Sequence, residues 1–164
     1  MADLSKPLRT MKRILILLLA LMPFAAKAQM TVDHDYKIVT WNKVYETDMT
    51  QDEILQHILA YGYLDDVVTH GNMIAGDIPP VLLNYEAAGY SRMKVALYLS
   101  NDRFTGRIII RFKEGRYMAE AVALRFGAMP LYEGYGEYAF DITAKLVTEH
   151  LERLTTFYPV SQDW

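Results

Sequence analysis

Apolar and polar residues alternate most regularly between Arg92 and Phe126. Val95, Leu97 and Leu99 are separated by Ala96 and Tyr98, a period of two that predicts a strand. A turn follows at Ser100-Asn101-Asp102-Arg103. Gly106, Ile108, Ile110 and Phe112 then alternate with Arg107, Ile109 and Arg111. Glu114-Gly115 makes a two-residue hairpin turn, and Tyr117, Ala119, Ala121 and Ala123 form one face of the return strand. That turn pairs Phe112 with Tyr117, Ile110 with Ala119 and Ile108 with Ala121, large residues against small ones, as in a face covered by helices. On the other face Glu120 sits diagonal to both Arg107 and Arg111, with Ile109, Met118 and Val122 among them.

The flanks are helical or irregular. Tyr36 to Trp41 is β-branched and aromatic, and predicts a strand. Thr50-Gln51-Asp52-Glu53 is a capping box. It opens a helix with Ile54, Leu55, Ile58 and Leu59 on one stripe, and Gly62 is its stop. Between Asp65 and Ala88 the pattern weakens. His70-Gly71-Asn72 and Asp77-Ile78-Pro79-Pro80 are turn signals, and a short strand is expected near Met73 to Ala75 or Val81 to Tyr85. Gly127 to Phe140 is a connector rich in Tyr and Gly. Asp141 or Thr143 caps a last helix to about Phe157, with Leu146, Val147, Leu151, Leu154, Phe157 and Tyr158 as its apolar stripe and Pro159 at its end. The order strand, helix, strands, helix predicts an α+β domain: an antiparallel sheet of four to five strands with two helices on one face.

Residues 1–28 read as an address. Met11-Lys12-Arg13 is a basic start, Ile14 to Ala25 is an apolar run broken only by Pro23, and Ala26-Lys27-Ala28 fits a signal peptidase, so cleavage is expected before Gln29. The run is too short for a membrane span. Residues 1–10 are a polar extension, and either Met1 or Met11 is the true start. Residues 29–164 then form one domain, exported to the periplasm or cell surface. With the leader gone, 12 basic and 19 acidic residues remain, a net charge of −7. Such a domain suits neither nucleic acid nor anionic lipid. The chain has no cysteine, which excludes disulfides, thiol nucleophiles and cysteine metal sites.

The Thr50-x-Asp52-Glu53-Ile54 helix start, the short hairpins and Lys113-Glu114-Gly115-Arg116-Tyr117 behind an export signal together carry a resemblance. The chain resembles a family of exported bacterial, Bacteroidetes-type domains of unknown function with a TATA-binding-protein-like fold. The matching stretches are Thr50 to Tyr61 and Gly106 to Leu124, and the family's hairpin has Asp where Glu114 stands. The resemblance implies the same order of elements and brings no catalytic residues, and a fold name does not imply DNA binding.

Candidate chemistry is sparse. Ser91, Ser100 and Ser161 lie in no nucleophile elbow. Asp33-His34-Asp35 is the densest metal-type cluster and reads as a solvated lead-in, so no metal and no cofactor are expected. His57 flanks a helix stripe and is expected to be exposed, and His70 lies in a turn. His150 falls inside the last helix's apolar arc, as a core histidine or a ligand contact. Tyr132, Tyr135 and Tyr138 offer aromatic area on a Gly-rich connector, and Arg107, Arg111 and Glu120 offer a polar sheet face. These point to a non-enzymatic domain that binds an envelope protein, a glycan or itself. The alternative is a carrier with an apolar pocket near His150 and Tyr117; a hydrolase is a third reading.

Overall fold

The computed structural model describes residues 28–33, 38–131 and 137–158. Its elements in chain order are strands β1 (Gln29–Val32) and β2 (Val39–Glu46), helix α1 (Gln51–Tyr61), strands β3 (Asp65–His70) and β4 (Met73–Asp77), a 3-10 turn (Arg92–Lys94), short helix α2 (Leu97–Asn101), strands β5 (Phe104–Lys113), β6 (Arg116–Phe126) and β7 (Met129–Pro130), and helix α3 (Glu137–Thr155). The fold is α+β. Among the described residues its antiparallel sheet has seven strands rather than four or five, in the order β1-β2-β6-β5-β4-β3, with β7 beside β6.

The hairpin arithmetic holds. Phe112 pairs with Tyr117, Ile110 with Ala119 and Ile108 with Ala121. The capping box holds too. Thr50 Oγ1 accepts the Glu53 amide at 3.3 Å, and the Glu53 carboxylate accepts the Thr50 amide at 2.7 Å. The Thr50 amide first, and then the Thr50 hydroxyl donating to the same carboxylate at 2.9 Å, hold the Glu53 carboxyl below the usual range. Gly62 closes α1 in the left-handed region at φ 60°.

Both long helices lie on one side of the sheet. Ile54 and Ile58 of α1 join Leu146, Val147 and Leu151 of α3 in a single core with Val39, Trp41, Ile74, Ile108, Ile110, Tyr117 and Ala121. The end of α3 is tied to β2 and β6. The Tyr117 hydroxyl donates to the Thr155 carbonyl at 2.7 Å, Tyr45 shares a 2.8 Å hydrogen bond with the Thr155 hydroxyl, and Lys43 meets Glu152 at 2.7 Å. Burial raises the pKa of both tyrosines above the ordinary value.

Several expectations are corrected by the structure. The alternation from Val95 to Leu99 ends in helix α2, not a strand. Tyr98 and Leu99 are adjacent and both buried, whereas Leu97 is exposed. A strand would send those neighbours to opposite faces; one helical turn puts both into the core. The Tyr98 hydroxyl there lies 2.9 Å from that of Thr143. Strand β3 was not expected, and the last helix begins at Glu137, ahead of the expected cap at Asp141 or Thr143.

Ala123 also leaves its expected face. Thr105 pairs with Arg125 and Arg107 with Val122, so two residues of β6 oppose Gly106. This bulge puts Ala123 at φ 52° and exposes it, and the buried face continues through Leu124 and Phe126 instead. Gly106 suits the site, since a Cβ there would meet Leu124 Cδ2 at 2.7 Å. A non-glycine residue in this region costs about 1–2 kcal/mol, offset in part by glycine's greater freedom when unfolded. Ala123→Gly is therefore expected to stabilise the domain by up to about 1 kcal/mol, read as a higher urea midpoint. A lower midpoint would mean the bulge is not strained.

Candidate binding face and two hollows

The helix-free side of the sheet is built by the residues that alternate with the core. In register across it, Val68, Ala75, Ile109, Glu120 and Asn42 form one row, and His70, Met73, Arg111, Met118 and Val44 the next. Residues 81–101 pack on the opposite side, where Tyr90 lies under Lys145 of α3 and Tyr98 meets Thr143. The outer face is therefore left with Val44, Val68, Ile109, Met118 and Val122 at least partly accessible. The arginines on it are paired. Arg107 bonds Asp77 on β4 at 2.7 Å, and Arg111 bonds Glu120. Glu120 thus serves one arginine, not two, because Arg107 has Asp77 directly opposite in register. Such half-exposed pairs add little stability.

Two hollows among the described residues bear on function. One, of about 450 Å³, lies at the hairpin end of the outer face against Val44, Arg111, Phe112, Lys113, Arg116 and Met118, with Asn72 and Tyr117 also lining it. The other, of about 400 Å³, separates residues 81–88 from α3 and is lined by Leu146, Glu149, His150 and Arg153. Among the described residues Tyr117 and His150 therefore line different hollows rather than one pocket. His150 is 9% exposed. Its Nδ1 lies 3.0 Å from Arg153 Nη2, which can only donate, so the ring is the neutral Nε2–H tautomer. Burial, and then the Arg153 charge, pushes the imidazole down to about 4. Nε2 is buried with no partner among the described residues, and the ring stands perpendicular to Phe104 at 5.8 Å.

The other candidates are scattered. Tyr132 and Tyr135 lie outside the described residues, as does the side chain of Tyr138, and so do residues 1–27, His34, Asp35, Pro159 and Ser161. His57 is half-buried rather than exposed, packed among Tyr61, Tyr63 and Phe157. Ser100 donates to the Leu97 carbonyl within its own helical turn. Among the described residues no group of three His, Asp or Glu side chains is placed to hold a metal ion, and no helix is long and apolar enough to cross a membrane.

Sequence reasoning passed over the hairpin-end hollow. Its signal was present: Lys113 and Arg116 bracket the turn, and the register places them opposite one another. The chain matches no protein-family model and no curated protein.

Proposed function

We propose that this is an exported, non-enzymatic domain that binds a macromolecular partner through the outer face of its sheet. One observation carries the reading: Val44, Val68, Ile109, Met118 and Val122 share a face that no described element covers. A mixed apolar and charged patch of this kind is typical of an interaction surface. The signal-like residues 1–28 support export to the periplasm or cell surface. The order of elements and the Lys113–Tyr117 hairpin support membership of the exported TATA-binding-protein-like family that the sequence resembles. The hollow beside His150 favours a second reading, a small-ligand carrier.

A photo-cross-linking residue in place of Ile109 or of Lys145 separates these. In its native host the Ile109 variant is expected to give a discrete cross-linked product on a chain beginning at Gln29, and the Lys145 variant none. Lys145 is exposed on α3, on the far side of the sheet. Equal products from both positions, or none from residue 109, would overturn the outer-face reading.

A further inference from the structure

The hollow at the hairpin end is cationic although the chain as a whole is acidic. The protein is acidic, net −3 overall, yet this hollow is lined by three cations, Arg111, Lys113 and Arg116, and by no carboxylate. Among the described residues Arg111 is held by Glu120, whereas Lys113 and Arg116 enter no ion pair. Glu46 stands opposite Arg116 in register but does not line the hollow. Lys113 and Arg116 are cross-strand partners themselves. Like charges directly opposed on a hairpin repel, and an anion between them relieves that repulsion. Val44 and Met118 supply the apolar outer-face wall, with Asn72 beside them and Phe112 and Tyr117, whose side chains alternate to the core face, completing the lining.

We infer that this hollow is a binding site for an amphiphilic anion, an apolar body with a carboxylate or phosphate head. The body lies against Val44 and Met118, and the head sits between Lys113 and Arg116. A volume of about 450 Å³ is within the range of small-molecule sites. A free amphiphile and an anionic lipid headgroup present the same chemistry. The site does not depend on a partner elsewhere on the sheet, so loss of cross-linking from residue 109 and loss of anion binding are separate results.

Octanoate and octanol test it by calorimetry on the purified protein, because they share a chain and differ in charge. Octanoate is expected to bind at least about tenfold more tightly than octanol, and to weaken as salt rises. The Lys113→Gln/Arg116→Gln double variant is expected to lose about tenfold in octanoate affinity while unfolding at the same or a higher temperature than the parent. Sedimentation with phosphatidylglycerol vesicles identifies the source. Co-sedimentation that the double variant loses assigns the site to a lipid headgroup, and octanoate binding without it assigns a free amphiphile. Equal binding of octanoate and octanol, or binding of either anion that the double variant retains, overturns the site, as does binding of neither octanoate nor vesicles.

Discussion

Trp41→Ala is expected to destabilise the domain by about 3–5 kcal/mol, a large share of the roughly 5–15 kcal/mol typical of natural domains. The indole is completely buried on β2, between Met30 on β1 and Ala121 on β6 in register. Ala121 is small, so the ring fills the space that a larger neighbour would take. Truncation leaves a cavity that three strands already locked into one sheet cannot collapse around. The indole Nε1 has no hydrogen-bond partner among the described residues. The loss is therefore one of packing, and Trp41→Phe, which keeps an aromatic ring and removes the unpaired N–H, should recover most of it. Urea unfolding followed by circular dichroism measures both variants. A loss below about 1 kcal/mol for the alanine variant would show that β2 does not anchor the core through this residue.

Acidification is expected to weaken the fold through His150. The imidazole titrates near 4 when folded and near 6.5 when unfolded. Above pH 6.5 neither state is protonated, and stability is unaffected. Between 6.5 and 4 the unfolded chain takes up a proton that the folded chain refuses, so stability falls with falling pH by up to about 1.4 kcal/mol per unit. The full effect by pH 4 is on the order of 3 kcal/mol. His150→Leu removes the titrating group and the buried, unpartnered Nε2, and its apolar side chain suits the neighbours Leu146 and Phe104. Urea midpoints at pH 7 and pH 4.5 are expected to converge for this variant relative to the parent. If both proteins lose the same stability on acidification, His150 is not the responsible group and carboxylates such as Glu53 are.

Much of the fold was legible in the chain. The β5–β6 register followed from the Glu114-Gly115 turn because a two-residue hairpin leaves one way to pair its strands. Helix α1 followed from local groups alone, Thr50, Glu53 and Gly62, whose hydrogen bonds span only a few residues. What was missed depended on distant neighbours. Strand β3 is an exposed edge whose residues face little core, so no period of two was imprinted on Asp65-Asp66-Val67-Val68-Thr69-His70. Helix α2 imitated a strand because only the one-sided burial of the sheet decides that Tyr98 and Leu99 must point the same way.

The candidate sites divide in the same way. Arg107, Arg111 and Glu120 were placed on one face by alternation, which is local. The Arg111–Glu120 pair was legible in the same way, but the partner of Arg107 was not, since Asp77 reaches Arg107 only once β4 pairs with β5. His150 was placed in an apolar arc by helical periodicity. Its depressed basicity needed burial against Phe104 and the Arg153 charge beside it. By itself the sequence determined the class of fold, the central hairpin and its register, the first helix with both its caps, and a chain without thiols. Tertiary structure alone decided the number of strands, the phase shift at Ala123, the separation of Tyr117 from His150 and the cation-lined hollow. The reason is physical: capping, turn geometry and periodicity act over a few residues, whereas burial and ion pairing are settled by residues far apart in the chain that the sheet brings together.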